Sequence, residues 1–433
     1  MKKSLFTIMI LIMCLFVFAG CAKSKESSSD EGSDKKAETE DNRTEEKEED
    51  TSEKKKKKTK KERNDKKDND EETETEKPGT SEKNPARLTE SECRDKIDEL
   101  RGSNPVRPAQ EEILAELANI PTVSRVVDEQ GAIFSEMDND QRARLRRIII
   151  DEVLWEESGL AKAIPVVYDH DREDADVLIP LDDAKAFFKE IYGEEDFVPA
   201  QYEAVDDEYM LFSYGDGDPW NSVEHMQYFE DDDYILVSGP EFYGDNSGVI
   251  ELLGYADILF EKNPDSRYGV TLLYGRCRPN DIRVSYVNTS SELKPAAGKT
   301  YGGINLIDND PATVWCEGVS GTGVGESITL KLDKKQPVFG IVIVNGYTAD
   351  YTLYSNNGKV TDVQVDFGDG NVISGLIGGY AFEGVSGDYL AELNTSKVEL
   401  DQPVMTDTIT ITITAAEKGA KYDDTCISGI KVY

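Results

Sequence analysis

The chain of 433 residues carries 49 Lys and Arg against 87 Asp and Glu, a formal net charge of -38. Nucleic-acid binding rests on cationic side chains that neutralise phosphates, so this acidity excludes DNA and RNA as partners and leaves uncharged, cationic or metal-bridged ligands. The length exceeds what one hydrophobic core usually serves, which predicts at least two folded domains.

Lys2 and Lys3 precede an apolar run from Leu5 to Phe18, too short to span a bilayer as a mature helix but suited to the core of an export signal. The run ends in "VFAGC", where small Ala19 and Gly20 stand directly before Cys21. That ending resembles the lipobox of bacterial lipoproteins, with Phe18 where Leu is usual. The resemblance implies a signal peptide over residues 1–20 and a diacylated Cys21. It implies a protein anchored by lipid on the extracellular face of a bacterial cell membrane, of the Gram-positive type. Each buried acyl methylene contributes about 0.8 kcal/mol, and two chains hold where one would leak.

Residues 21–86 change character completely. From Ala22 to Ala86 there are 18 Lys and Arg against 22 Asp and Glu, runs such as "SEKKKKKTKKER", no aromatic residue and no aliphatic larger than Ala. Such a tract cannot bury enough apolar surface to offset chain entropy and is expected to be a disordered spacer. About 65 flexible residues span roughly 40 to 50 Å root-mean-square. The interleaved Glu cancels most of the Lys charge, which favours a solvated spacer over a grip on anionic polymer. Residues 87–433 then carry 29 Lys and Arg against 65 Asp and Glu.

Residues 87–288 open with helical spacing. "TESECRDKIDELRG" puts Cys93, Ile97 and Leu100 on one face with Gly102 as a stop; "PAQEEILAELANI" and "DNDQRARLRRIIIDEVLWEE" repeat the period, the last with Asp138 or Asn139 as cap. Apolar or alternating runs follow: "AIPVVYD", "EYMLFSYG", "DYILVSG", "VIELLGYADILFE", "YGVTLLYGR" and "DIRVSYV", interrupted by the helical "LDDAKAFFKEIYG". Helices first and strands afterwards predict an α+β domain with a mostly antiparallel sheet. No metalloprotease, nucleophile-elbow, P-loop or dinucleotide motif occurs. The two His, His170 and His225, sit among acids in "YDHDRED" and "NSVEHMQYF" and read as surface histidines.

Small and polar residues over "VNTSSELKPAAGK" mark the boundary to residues 289–433, where "SITLKL", "VFGIVIVNGY", "VTDVQVDFGDGNVISG", "YLAELN" and "DTITITITAA" alternate with period two, and Asp369-Gly370 is a hairpin turn. This is the size and pattern of a β-sandwich. "NLIDNDPATVWCEG", "GVGESITLKL", "VFGIVIVNGY", "YTLYSNNGKV", "VTDVQVDFGDG" and "KYDDTCISGIKVY" together resemble the discoidin-like (coagulation factor 5/8 type C-like) jelly-roll sandwich over Leu293–Tyr433, in its glycan-binding branch named for translocation of NAD glycohydrolases.

The resemblance implies a structural calcium on the loop of Asp308, Asn309, Asp310 and Thr313, oxygen donors of the kind calcium takes. The family completes that site with a carboxylate near the C-terminal end, in a pattern like "ISEI", but here Ser428 is followed by Gly429. Asp308 and Asp310 could equally make Asx turns, while Trp315 is expected in the core rather than as a sugar platform. A glycan or cell-wall polysaccharide would meet Asn345, Tyr347, Tyr351, Tyr354, Asn356 and Asn357 on one long loop, joined by Tyr422, Asp423 and Asp424. The function expected is a non-catalytic carbohydrate-binding head. The alternatives are a hydrolase with its active site in 87–288 and the sandwich as targeting module, or a structural interaction protein in which the sandwich docks on the α+β domain. Cys93 with Cys277, and Cys316 with Cys426, would each tie the start of a domain to its end; buried free thiols are favoured because Cys426 belongs to the family motif.

Overall fold

Four helices stand where apolar spacing predicts them. α1 (Glu90–Arg101) starts with a reciprocal cap: the Thr89 hydroxyl accepts from Glu92 N and the Glu92 carboxylate accepts from Thr89 N. α2 is Glu111–Val123, and α3 (Asn139–Leu154) has the same cap built from Asp138 and Gln141. α4 (Leu181–Tyr192) stops at Gly193, whose φ of 72° suits the left-handed C-cap. The computed structural model describes residues 88–155, 158–213 and 220–433, all within Ser81–Tyr433, which clusters as one unit. The expected signal peptide, Cys21 and the spacer lie outside the described residues.

The strands of the first lobe are β1 (Ala132–Ile133), β2 (Val177–Pro180), β3 (Ala204–Val205), β4 (Tyr209–Phe212), β5 (Trp220–Val223), β6 (Gln227–Glu230), β7 (Tyr234–Gly244), β8 (Ile250–Lys262) and β9 (Val270–Arg278). Six of them form an antiparallel sheet in the order β1-β9-β8-β7-β5, with β6 also on β7; β2-β4-β3 make a smaller sheet. Side chains alternate across the large sheet. Leu236, Leu259 and Leu273 meet Cys93, Ile97 and Leu100 of α1 on one face, while Val237, Ile258 and Leu272 share a core with α2, α3 and α4 on the other. This is the α+β arrangement expected. "AIPVVYD" is not a strand: only Val167 bridges to Leu178, because Pro165 has no N–H for a ladder.

β10 (Val284–Thr289) departs from the expected boundary at 288, since it pairs antiparallel with β12 (Ser327–Asn345) of the second lobe. That lobe is all β, with β11 (Trp315–Cys316), β13 (Gly358–Asp366), β14 (Val372–Leu376), β15 (Thr395–Glu417) and β16 (Thr425–Val432). β12 pairs β15, β15 pairs β13, β13 pairs β16 in parallel, and β16 returns to β12, so the pairings close on themselves around a core of Trp315, Ile341, Val363, Ile411 and Ile427. The hairpin at Asp369-Gly370 forms as predicted, with φ of 54° and 83° at its two residues.

Two segments differ from expectation. "YLAELN" is mostly α6 (Gly387–Glu392), because Leu390 and Leu393 at a spacing of three are both buried on one helical face. The loop after β12 contains α5 (Tyr351–Asn356), capped by the Asp350 carboxylate on Leu353 N at 2.7 Å. The lobes meet through Phe242, Leu252 and Tyr255 packed on Phe339, Val342 and Tyr433. Among the described residues no helix is long and apolar enough to cross a membrane.

Candidate functional site

The loop "NLIDNDPATVWCEG" is held by its own short polar side chains. Buried Asn305 donates from Nδ2 to the carbonyls of Thr300 and Val314 at 2.9 and 2.8 Å. Asp308 accepts from Asp310 N at 3.0 Å on one oxygen and from the Thr313 hydroxyl at 2.8 Å on the other. Asp310 accepts from Ala312 N at 2.9 Å, and Asn309 takes the left-handed conformation with φ of 58°. These are the Asx turns that such residues make. Asp308, Asn309, Asp310 and Thr313 thus stand together on one exposed loop, with side-chain oxygens of the kind calcium takes, but the Asp308 carboxylate already has two donors. Gly429 brings no side-chain oxygen; a Cβ there would meet only Val344 at 3.5 Å. Trp315 is fully buried and donates from Nε1 to Ser291 O at 3.1 Å, a core residue.

The aromatic loop expected to face sugar is largely interior. Tyr347 and Tyr354 are 4% and 6% exposed, the first against Val314, Cys316 and Cys426 and the second against Val249, Leu390 and Leu393. Asn345 is 3% exposed and spends its amide on Val360, donating to its carbonyl and accepting from its N–H. Asn357 donates to Leu353 O, closing α5. The physical reason is the helix: α5 turns Tyr354 inward, where a free loop would have left it out. Asn356 is brought to the last loop, its O accepting from Tyr422 N at 2.8 Å, and Asp424 O accepts from Gly358 N at 2.9 Å, while Tyr351 opens α5. Tyr422 is exposed and Asp423 is paired with Lys418.

A recess lies elsewhere, where β8 of the first lobe faces the second. It has a volume of about 370 Å³ and is lined by Glu251, Asn309, Asp310, Asp388, Glu392, Ser428, Gly429 and Lys431 over a floor that includes Leu252, Val342, Val344 and Ile430. Asp388 and Glu392 reach it one turn apart on α6. Burial, then the neighbouring Glu251, Asp388 and Asp245, raises the Glu392 carboxyl above the ordinary glutamate range. Crowded carboxylates are acceptors seeking hydroxyl or ammonium donors. Beside α6, Phe382 and Tyr389 are 50% and 43% exposed with ring centroids 6.5 Å apart. The alternation of "YLAELN" predicts a strand and so hides these residues; the glycine-bounded aromatics of "GGYAFEGVSGDY" are the available signal.

The cysteines differ from the free-thiol expectation in the second lobe. Cys316 and Cys426 stand opposite each other on β11 and β16 and form a disulfide. Cys277 remains a thiol and is not joined to Cys93.

The lobe whose β pairings close on themselves is a discoidin-like domain at the C-terminal end of the described chain. Residues 280–433 match the model of the NAD glycohydrolase translocation F5/8 type C domain. Among solved structures, similarity extends to a family 32 carbohydrate-binding module of Clostridium perfringens NanJ in complex with galactose, at 21% identity over 34% of this chain and 91% of that one, TM-score 0.23. It extends to a pectin-binding carbohydrate-binding module, at 18% identity over 35% and 91%, TM-score 0.23. It also extends to the mycobacterial arabinofuranosyltransferase AftD, at 17% identity over 35% of this chain and only 11% of that one, TM-score 0.25. No curated protein matches the chain.

Proposed function

We propose that this is a lipid-anchored bacterial cell-surface protein whose discoidin-like domain binds carbohydrate without transforming it. The observation that carries the reading is the convergence of Glu251, Asp310, Asp388, Glu392 and Asn309 on one recess at the edge of that domain. Such a set accepts hydrogen bonds from sugar hydroxyls, Lys431 can donate in return, and the exposed pair Phe382 and Tyr389 offers rings for stacking. The strong negative charge of the head favours neutral or cationic glycans over anionic ones. Within this reading a calcium ion, when bound, would be held by Asp308, Asn309, Asp310 and Thr313.

The test is a glycan array of cell-wall and host carbohydrates probed with the full-length chain in detergent. Selective binding is expected, weakened at least about tenfold, or 1.4 kcal/mol, in the double variant Asp388→Asn with Glu392→Gln. Absence of binding to any glycan overturns the reading. The anchor is tested separately: Cys21→Ala should leave the protein unacylated and released from membranes. Packing of Phe339, Val342 and Tyr433 on the first lobe favours a second reading, in which the sandwich serves mainly to dock on that lobe; a blank array with a cooperative single unfolding transition for both lobes supports it.

A further inference from the structure

A second recess, of about 250 Å³, belongs wholly to the first lobe. It lies between the segment after α2 and strands β5, β7, β8 and β9, and Arg125, Val127, Asn221, Glu241, Leu253 and Cys277 line it. Three features set it apart from a packing defect. Glu241 is 4% exposed on the central strand β7, and among the described residues no Lys, Arg or His lies within ion-pair distance of it. Its carboxylate accepts from Asn221 Nδ2 at 3.0 Å and shares the recess with the Cys277 thiol. Burial and that same carboxylate push the Cys277 thiol up, so it is a neutral donor and not a nucleophile. Because Asn221 gives its NH2 to Glu241, its orientation is fixed, and its buried Oδ1 has no donor at all.

Arg125 supplies the third feature. It is exposed, holds a left-handed backbone with φ of 53°, and its guanidinium lies 5.5 Å from the ring centroid of Tyr243. Among the described residues no carboxylate pairs with it. One recess therefore offers a buried carboxyl group and an unused acceptor, the unpaired Arg125 guanidinium, and the apolar Val127 and Leu253, with Asp128 and Glu129 also at its wall and Arg278 there already paired with Asp257 and Asp281. Burial raises the Glu241 carboxyl above the ordinary glutamate range, against the lowering effect of its hydrogen-bond donors and of the Arg125 charge; a cationic ligand group beside it would supply what the fold supplies only in part.

We propose that this recess binds a small zwitterion of the α-amino-acid class, its ammonium on Glu241 and Asn221 Oδ1, its carboxylate on Arg125, and its side chain against Val127 and Leu253. A volume of about 250 Å³ suits a single amino acid and is too small for an oligosaccharide. The chemistry needs a donor at one end and an anion at the other; a simple monovalent cation would leave Arg125 unused, and a neutral sugar would leave Glu241 uncompensated.

The full-length chain is screened in detergent against each standard amino acid at millimolar concentration, first by thermal unfolding and then by calorimetric titration of those that raise the midpoint. At least one is expected to bind, with affinity reduced about tenfold or more in Glu241→Gln and in Arg125→Ala. Arg125→Ala is at the surface and should unfold at the unliganded midpoint of the parent, while Glu241→Gln is nearly isosteric, removes a costly buried carboxyl and should unfold at that midpoint or above it. The methyl ester and the deaminated acid of the ligand, each lacking one charge, should bind as poorly as the matching variant allows. No midpoint shift with any amino acid, or binding that both variants leave unchanged, overturns the proposal. Since the recess shares no lining residue with the carbohydrate cleft, the glycan array is unaffected by either result.

Discussion

His225 and Glu399, 174 residues apart, meet across the two lobes with Nε2 3.2 Å from Oε2. The same carboxylate oxygen accepts from the Tyr433 hydroxyl at 3.0 Å and lies 3.6 Å from Lys397 Nζ, while the His225 ring stacks on Phe339 at 5.4 Å. The hydrogen bond from His225, with the charges of Lys397 and His225, holds the Glu399 carboxyl down at about 2. A carboxyl whose folded value is depressed contributes stability above its unfolded value, near 4.3, and loses it as pH falls toward the folded one. The gap in denaturant stability between the parent and Glu399→Gln should therefore be present at about pH 5 and close as pH approaches 2. A gap independent of pH would show that the carboxylate does not brace the lobes.

Arg146 is fully buried in α3, with Nη1 2.7 Å from Glu194 Oε1 and further bonds to Glu203. Replacing it by Met leaves Glu203 without its cation and Glu194 with only Arg142 at 3.9 Å, and breaking a buried pair costs about 3 to 5 kcal/mol. Urea unfolding of Arg146→Met should show a loss of that size, largely recovered when Glu194→Gln and Glu203→Gln are added.

Trp315→Ala should cost about 3 to 5 kcal/mol as a large-to-small change in the core. Because Tyr354 is 6% exposed, Tyr354→Ala should also destabilise, by about 2 to 5 kcal/mol on the same scale. Folding at parental stability in either case would return that residue to the surface.

The Cys316–Cys426 bridge closes a separation of 110 residues. On the chain-entropy account a loop of this length is worth up to about 4.7 kcal/mol. Chemical denaturation with and without reductant should differ by an amount of that order, and the double variant Cys316→Ala with Cys426→Ala should be insensitive to reductant.

Calcium at about 100-fold over its dissociation constant should stabilise the discoidin-like lobe by about 2.7 kcal/mol if the Asp308 loop binds it. Gly429→Glu has room for its Cβ and should tighten binding by adding a carboxylate. An unfolding midpoint equal in chelator and in millimolar calcium argues that the Asx turns alone hold the loop.

The helices of the first lobe were legible because caps and apolar period agree locally: Thr89 with Glu92, Asp138 with Gln141, and Gly193 as a stop. The sandwich was legible through alternation and family motifs. What sequence could not show was which side of an element faces inward when the element is one or two turns long. α5 and α6 have six residues each, too few for a period to declare itself, and they decide that Tyr354 is core while Asp388 and Glu392 line the recess. Glu241 and Asn221 escaped notice for a different reason: the strands that pair them are adjacent only through the order of the sheet.

The closing of the second lobe by β16, which pairs with β11, β12 and β13, bears on how this protein comes to be made. A nascent chain that has emerged only as far as Glu417 presents long apolar strands with one wall of their enclosure missing, and contacts formed across more than a hundred residues are slow to find. Until the segment after Asp424 arrives, those strands are open to pairing with other chains, so delay at this stage is where aggregation would begin.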